Sequence, residues 1–299
     1  MKKICFSGIF VVLICILGCN RPAEDSANPW KDYVEFREGN YPLLLIAPHG
    51  GDLKPQWIND RDCENSVVTQ DQYTLGIALQ LEQELRALGI QPYVVLAKIH
   101  RIKIDLNRSL ETSHCEDDSS NDLWQLFHSQ VKHYRDAIIE EFGRGLVIDI
   151  HGHGHPNQRI ELGYLLTSEQ LRDLRQQDAY TLPENTSINS LVENHPEQLS
   201  LSDIVFGDQA LGSMLSSRGF PTVPSAQDPA PLATEPFFSG GTNTKLYGSR
   251  SLNGVDAIQL ELNRQGLRET SADRERFANT FAQILSDYML YHYADTVQP

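Results

Sequence analysis

Hydrophobic and polar positions along this chain follow two different periods. Continuous apolar runs, which are typical of strands covered on both faces, lie at residues 43–47, 93–97, 146–150, 160–166 and 256–262. Apolar residues at three- and four-residue spacing, which predict amphipathic helices, lie at residues 69–88, 122–142, 203–217 and 271–291. The alternation of strands and helices over the first half favours parallel βαβ units with right-handed crossovers. We therefore expect an α/β protein.

The first residues differ from this pattern and predict an export signal. Residues 1–18 combine a positively charged start with an apolar run too short to span a membrane. The run ends at Gly18-Cys19 and resembles a bacterial lipobox, with Cys19 as the lipidated residue; an ordinary signal peptide with an incidental cysteine is the alternative. Asn20 follows the cysteine, as in lipoproteins of enteric-type outer membranes. We expect a flexible tether over residues 19–38, a single catalytic domain over residues 39–299, and a lipid anchor in the bacterial cell envelope, at the outer membrane.

Composition narrows the set of partners. The chain has 299 residues, is 40% hydrophobic and has a formal net charge of −15. It can therefore bury a sizeable core, and its acidic balance disfavours nucleic acid as a partner. Outside the predicted signal and Cys19, the remaining cysteines are Cys63 and Cys115. An oxidising compartment would favour a disulfide between them if their Cα atoms lie close enough.

Histidines and acids follow the predicted strands. His49 comes directly after the strand 43–47, Asp52 lies three residues on, and His151 follows the strand 146–150. Catalytic zinc takes three protein ligands from imidazoles and a carboxylate and leaves one position open. Two ligands on one loop and a third on a distant strand would fit that need, so His49, Asp52 and His151 are candidate zinc ligands. A turn histidine beside Pro48 is the alternative for His49.

The segment from Asp149 to His155 is unusually rich in histidine. Strand alternation puts Asp149 on the same face as His151, where it can orient the imidazole or a neighbour of it. For His153 and His155, an exposed loop at the rim of the site is the better interpretation. The three histidines together are also consistent with a metal-capturing protein that does no chemistry.

A hydrolase also needs a base and positive charge. Glu261 interrupts the apolar run 256–262, where a carboxylate is costly unless it is used or paired, so it is the candidate general base; an outward-facing glutamate on an edge strand is the alternative. Arg108 follows a predicted strand and can clamp a carboxylate or stabilise an oxyanion. Arg264 repeats the same Asn-Arg pair after Glu261. Each arginine alone reads equally as a surface residue or a structural ion pair.

Several short motifs occur together in a recognisable order. They are Pro48-His49-Gly50-Gly51, Asp105-Leu106-Asn107-Arg108, Asp149-Ile150-His151, Gly240-Gly241-Thr242 with Tyr247-Gly248, and Gln259-Leu260-Glu261-Leu262-Asn263-Arg264. In this order the sequence resembles the N-formylglutamate amidohydrolase family over roughly residues 42–290. That family is similar in fold to zinc carboxypeptidases and to succinylglutamate desuccinylase and aspartoacylase. The resemblance implies a three-layer αβα domain around a mixed, largely parallel sheet.

The resemblance also implies roles for individual residues. His49, Asp52 and His151 would hold Zn²⁺, Glu261 would be the base and proton shuttle, and Arg108 would bind a carboxylate or the developing oxyanion. Substrate-binding positions would be Asn107, Arg264, Gly241, Thr242 and Tyr247. Carboxypeptidases have glutamate where this chain has Asp52, so Asp52 departs from their pattern.

The leading hypothesis is a zinc-dependent amidohydrolase that cleaves an amide bond of an N-acyl amino acid or peptide bearing a free carboxylate. A zinc carboxypeptidase acting on peptides or cell-wall fragments, and an exported zinc-binding lipoprotein without catalytic activity, are the alternatives. A serine hydrolase is disfavoured because the Gly-x-Ser-x-Gly nucleophile motif is absent from the sequence.

Overall fold

The structure is a computed structural model that describes residues 29–115, 118–176, 186–250 and 254–297. The predicted signal at residues 1–18, the lipidation site Cys19 and residues 20–28 of the tether lie outside the described residues. Within the described ranges, none of the helices has the length and apolar character needed to cross a membrane.

Strands and helices alternate along the chain much as the hydrophobic pattern predicts. The strands are β1 (Val34–Arg37), β2 (Leu43–Ala47), β3 (Tyr93–Ala97), β4 (Gly145–Gly152), β5 (Ile160–Gly163), β6 (Thr222–Val223) and β7 (Val255–Leu262). The helices are α1 (Thr74–Ala87), α2 (Leu110–Ser113), α3 (Asn121–Phe142), α4 (Ser168–Gln176), α5 (Asn189–Asn194), α6 (Leu201–Phe206), α7 (Leu211–Ser217), α8 (Thr242–Tyr247) and α9 (Ser271–His292). Short 3₁₀ turns span Pro29–Asp32 and Asp118–Ser120, and an irregular turn spans Arg264–Arg268.

The described strands form one sheet in the order β1-β3-β2-β4-β7-β5-β6. Strands β3, β2, β4 and β7 are parallel, whereas β1 and β5 run antiparallel to their neighbours β3 and β7. The prediction of a mixed, largely parallel sheet is confirmed. Because parallel neighbours end at the same edge, the carboxyl ends of β2, β4 and β7 lie side by side.

The sheet is covered on both faces, which explains the continuous apolar runs. Alternate residues of β2 enter different cores: Leu43 and Leu45 pack with the apolar stripes of α1 and α9, whereas Leu44 and Ile46 pack with the stripe of α3. Side chains alternate between the faces of a strand, so each central strand contributes to both cores. The predicted three-layer αβα architecture is confirmed.

The folded part begins before the predicted end of the tether. Residues Pro29–Asp32 form a 3₁₀ turn and β1 pairs with β3, so the structure includes residues 29–38 in the domain. The segment lacks the apolar run of a central strand because β1 is an edge strand with only Val34 fully buried. The sequence of this segment therefore lacks the apolar pattern that would predict a strand.

Three predicted elements are shorter than expected or are divided. Helix α1 begins at Thr74, because Tyr73 adopts a left-handed backbone conformation with φ of 72°. The predicted helix 203–217 is two helices, α6 and α7, separated where Gly207 is extended. The predicted strand 160–166 ends at Gly163, and Leu165 turns the chain with φ of 63°.

One face of the sheet becomes polar at its carboxyl edge. On the α3 side, the row that begins with Val147 and Ala257 continues with acidic, amide and imidazole side chains. In register across the two strands, Asp149 lies beside Gln259 and His151 beside Glu261. The polar residues that interrupt two apolar runs therefore gather at one place.

Candidate metal centre

Three buried side chains meet at the carboxyl edge of β2 and β4. His49, Asp71 and His151 are 1%, 6% and 2% exposed, and one ligand atom from each lies within 4.8 Å of the others. Asp71 Oδ2 is 3.1 Å from His151 Nδ1 and 3.5 Å from His49 Nδ1. We call these three residues the floor cluster.

The fold brings the floor cluster together through two parallel strands and a loop. His49 lies two residues beyond the end of β2, and His151 lies near the end of β4, the parallel neighbour of β2. The loop before α1 returns Asp71 to this edge, where its backbone N–H donates to the His49 carbonyl at 3.1 Å. Gly152 donates its N–H to Asp71 Oδ2 at 3.1 Å, which fixes the carboxylate against β4.

Each histidine of the floor cluster is backed by a second carboxylate. Asp105 Oδ1 lies 2.7 Å from His49 Nε2, and Asp149 Oδ1 lies 3.0 Å from His151 Nε2. The Asp149 contact is electrostatic, since its two oxygens have no aligned hydrogen bond among the described residues. Metal-binding histidines are commonly oriented in this way. Nδ1 is therefore the nitrogen that each ring turns towards Asp71.

The floor cluster fits a zinc ion. His49 Nδ1 is buried and has no hydrogen-bond partner among the described residues, which is costly unless a ligand uses it. Two ligand atoms bound to tetrahedral zinc at its usual bond lengths are separated by about 3.3 Å. The separations of 3.1 and 3.5 Å from Asp71 Oδ2 to the two Nδ1 atoms match that value.

Opposite charges hold the acids of this region ionised. Burial alone would raise the pKa of Asp71, but its contacts with His151 and His49 hold it well below the ordinary value. Burial likewise opposes ionisation of Asp105, yet His49 and Arg101 hold its pKa well below the ordinary value. For His151 burial lowers the pKa, but Asp149, Asp71 and Glu261 together outweigh it, so that the pKa is raised well above the ordinary value. The region therefore stabilises positive charge.

Glu261 lies beside the floor cluster on β7. It is in register with His151 on β4, and its Oε1 accepts a hydrogen bond of 2.9 Å from Gln259 Nε2. Burial, reinforced by Asp71 and other nearby acids, raises the pKa of Glu261 to about 8, although His151 opposes the shift. A carboxyl group with this pKa can both take up and release a proton near neutral pH.

A cavity of about 630 Å³ opens above these residues. Four arginines line it, and two of them are held by hydrogen bonds to other groups of the protein. Arg101 makes a two-bond contact with Asp105 at 2.9 and 3.0 Å, and Arg268 donates to three backbone carbonyls. Arg108 and Arg264 are exposed, and their hydrogen bonds within the described part of the chain are long, at 3.3 and 3.5 Å. Their guanidinium groups are the ones placed to meet an anion.

The structure does not bring Asp52 into the floor cluster, where Asp71 stands instead. Leu53 forms a bridge with Ile99 and donates its N–H to the Lys98 carbonyl, so the chain is extended here. The exposed Asp52 carboxylate accepts from Gln70 Nε2 at 2.7 Å. Close spacing after His49 therefore does not direct Asp52 inward.

The predicted substrate-binding residues fall into two groups. Asn107, Arg264 and Gly241 line the cavity, together with the predicted Arg108. Thr242 is the first residue of α8 and is not among the cavity-lining residues. Tyr247 is buried in the core beneath α3, where its hydroxyl contacts His128. The structure therefore gives Tyr247 a packing position and not a place in the cavity.

The other two histidines of the β4 segment lie at the cavity wall. His153 and His155 line the cavity and form a second group with the buried Glu161 of β5. We call His153, His155 and Glu161 the wall cluster.

Elsewhere, Cys63 and Cys115 form a disulfide with a Cα separation of 5.3 Å.

Sequence reasoning missed Asp71, the role of Asp105, and Glu161. Asp105 and Glu161 had a usable signal, since each is an acid within an apolar stretch, as Glu261 is. Asp71 lies in a polar segment, Gln70-Asp71-Gln72, and only the path of the loop places it beside His49.

Known proteins resemble this chain in fold and not in sequence. No family model and no curated protein matches it. Among solved structures, N-formylglutamate amidohydrolase from Ralstonia eutropha JMP134 is 12% identical with a TM-score of 0.53, and covers 88% of this chain and 99% of its own. A gene product from Agrobacterium tumefaciens is 13% identical with a TM-score of 0.52, over 86% of this chain and 94% of its own. The predicted resemblance is thus confirmed at the level of the fold: this chain shares the fold of an N-formylglutamate amidohydrolase.

Proposed function

We propose that this protein is a zinc-dependent amidohydrolase that cleaves an amide bond of an N-acyl amino acid or peptide bearing a free carboxylate. The observation that carries the proposal is the floor cluster with its unpartnered His49 Nδ1, next to a buried Glu261. The shared fold with N-formylglutamate amidohydrolase supports it as an analogy.

His49, Asp71 and His151 would hold the ion. Zinc held there would supply a Lewis acid that polarises the substrate carbonyl and makes the attacking water more acidic. Asp105 and Asp149 hold the two imidazoles in orientation. A bound cation would also offset the negative charge of Asp71 that raises the pKa of Glu261.

Glu261 then acts as the base and as the proton shuttle. Its carboxylate takes a proton from the attacking water and passes it to the leaving nitrogen, so that one group serves both halves of the reaction. Gln259 fixes the side chain through its hydrogen bond to Oε1. Burial at 5% exposure keeps bulk water from competing for the proton.

Arg108 and Arg264 would bind the free carboxylate. Both are exposed at the cavity, and neither is held by a carboxylate among the described residues. A guanidinium binds a carboxylate through two parallel hydrogen bonds. An acidic protein with two such groups at its cavity would select anionic substrates there.

The decisive test separates metal binding from chemistry. Purified protein is analysed for bound metal and assayed on N-formyl-L-glutamate, N-acetylated amino acids and small peptides, before and after chelation and zinc restoration. The variant Glu261→Gln should retain zinc and lose about 10²- to 10⁴-fold in kcat, the usual contribution of general base catalysis. Exposed Glu275→Gln on α9 is the matched control.

Two results would contradict the proposal. Hydrolysis that survives chelation would exclude a catalytic role for the metal. Bound zinc without hydrolysis of any of these compounds, or full activity in Glu261→Gln, would favour the alternative of a zinc-binding protein without catalysis.

We also propose that the protein is exported and anchored to the cell envelope through lipid on Cys19. The sequence of residues 1–20 carries this proposal, and the disulfide is consistent with an oxidising compartment. Mass spectrometry of the mature N-terminus should find a diacylglycerol-modified Cys19, and an intact or unmodified N-terminus would contradict it.

A further inference from the structure

The wall cluster resembles a second cation site in composition but not in bonding. His153 donates from Nε2 to the Arg159 carbonyl at 2.8 Å and accepts the His155 N–H at Nδ1 at 3.1 Å. A neutral imidazole has one donor and one acceptor nitrogen, so His153 has no lone pair left. His155 and Glu161 alone are too few for a closed zinc site.

Glu161 connects two segments of the cavity wall. It is 0% exposed, and a buried carboxylate is costly unless it is fully hydrogen-bonded. Its Oε1 meets His155 Nδ1 at 2.8 Å, and its Oε2 accepts the Phe238 N–H at 2.8 Å. His155 is its ion-pair partner among the described residues. One carboxylate therefore fixes a histidine of the β4–β5 loop and a phenylalanine of the loop before α8.

His155 and Phe238 form a paired surface. Their rings are stacked with a centroid separation of 4.6 Å and an interplanar angle of 14°, and both residues line the cavity. Because Nδ1 is held by Glu161, Nε2 is the ring nitrogen left to meet a bound molecule, and it has no hydrogen bond to the described residues. Phe238 is 43% exposed, so it offers apolar surface beside that nitrogen.

The paired surface lies close to the proposed reacting groups. Glu161 on β5 is directly opposite Glu261 on β7, and Glu261 is in register with His151 on β4. Side chains in such a row share one face of the sheet. His155 and Phe238 line the same cavity as His151 and Glu261, so a substrate whose amide lies between His151 and Glu261 can reach the wall cluster.

We propose that His155 is a substrate-binding residue whose Nε2 forms a hydrogen bond with the part of the substrate beyond the scissile amide. This assignment rests on the proposed amidohydrolase function. Phe238 contacts apolar atoms of the same part, and Glu161 is a positioning residue that holds both. The arrangement suits an acyl or peptidyl group that has a polar atom next to a hydrocarbon segment, and it lets the wall select among amide substrates.

The test compares steady-state kinetics of zinc-loaded wild type, His155→Gln, His155→Ala, Glu161→Gln and Phe238→Ala on N-formyl-L-glutamate, N-acetylated amino acids and dipeptides. His155→Ala should raise KM for the dipeptides about tenfold, the effect of one lost hydrogen bond, with kcat and zinc content near wild type. N-formyl-L-glutamate has no polar atom beyond its formyl carbonyl, so its KM should not change. His155→Gln should restore part of the loss. Exposed His133→Gln on α3 is the matched control.

A double-mutant cycle distinguishes positioning through His155 from a general structural role. The amide oxygen of Glu161→Gln can still accept the Phe238 N–H. If Glu161 acts on KM through His155, the double variant His155→Ala/Glu161→Gln should therefore have the KM of His155→Ala alone. An additive loss, or an equal fall in kcat and thermal stability for Glu161→Gln in both backgrounds, would overturn the positioning role. His155→Ala and Phe238→Ala test the surface even if Glu161→Gln fails to fold.

Other outcomes bear on the assignment separately from the proposed function. Wild-type zinc-dependent hydrolysis of dipeptides with an unchanged KM in His155→Ala, or hydrolysis confined to the formyl and acetyl substrates, overturns the assignment and leaves the proposed function standing. A second equivalent of zinc that His155→Gln removes would make the wall cluster a cation site and also overturns it. No zinc-dependent hydrolysis of any probe by wild type overturns both.

Discussion

The floor cluster and the wall cluster are built from the same kinds of side chain, two histidines and one carboxylate. They differ in how the ring nitrogens of their histidines are hydrogen-bonded. In the floor cluster each histidine turns one nitrogen to a supporting carboxylate, and His49 Nδ1 has no partner among the described residues. In the wall cluster His153 uses both ring nitrogens for backbone groups. A buried nitrogen without a partner, beside a carboxylate and a second imidazole nitrogen, therefore distinguishes the candidate metal centre, whereas histidine content alone does not.

The largest expected effect comes from removing the carboxylate of the floor cluster. Asp71→Asn should abolish stable zinc binding and hydrolysis, because catalytic zinc is held by three protein ligands and the variant leaves only the two imidazoles of the floor cluster. Asp52→Asn is the matched control, since Asp52 is exposed and contacts Gln70. Zinc titration of the two variants measures the difference. Zinc loss in Asp52→Asn with none in Asp71→Asn would restore the ligand set predicted from spacing.

The next effect concerns the carboxylate that supports a histidine in each cluster. Asp105→Asn removes the charge at His49 Nε2 and should weaken zinc binding about 10- to 100-fold, as loss of such partners does at other zinc sites. Glu161→Gln removes the corresponding charge at His155 and should leave zinc affinity unchanged. Competitive titration with a metal-binding dye checks both. Equal weakening would mean that the two clusters form one site.

The sequence predicted the sheet and its central strands well because both depend on local patterns. Apolar runs such as Leu43–Ala47 report burial on both faces, and the helix stripes report the covering layers. His151 was predicted from its place directly after an apolar run, and Glu261 from its place within one. Each of these features can be recognised from a short segment of the sequence.

The sequence around His49 did not identify Asp71 as the third member of the floor cluster. Asp71 meets His49 only because the intervening loop returns to the sheet edge, where a backbone bond joins the two residues. Tyr247 likewise turned inward against His128 because α8 packs on the α3 side of the sheet. Contacts that depend on the path of a loop or the packing of a short helix require the three-dimensional structure.

The glycines between the histidines offer a smaller test of how the wall is held. A Cβ on Gly152 would lie 2.6 Å from Cζ of Arg268, whereas a Cβ on Gly154 has no neighbour within 4 Å. Arg268 cannot yield easily because it donates to three backbone carbonyls. Gly152→Ala should therefore cost about 1–3 kcal/mol of stability, and Gly154→Ala should stay within about 0.5 kcal/mol. Denaturant unfolding measures both, and equal losses would argue against this role of Arg268.

The smallest expected effect tests the structural role of His153. Burial lowers the pKa of His153 and outweighs the nearby Glu161 carboxylate, so the unfolded chain takes up a proton at this residue at a higher pH than the folded chain. Stability should then fall as the pH falls below about 6.5. His153→Gln offers an amide donor and acceptor for the two backbone hydrogen bonds and does not titrate. The stability of this variant relative to wild type should therefore rise as the pH falls from 7 to 5, and its zinc binding should be unchanged. If the difference between the two proteins stayed constant over that range while zinc was lost, His153 would belong with the floor cluster as a ligand, and the distinction between the two clusters would fail.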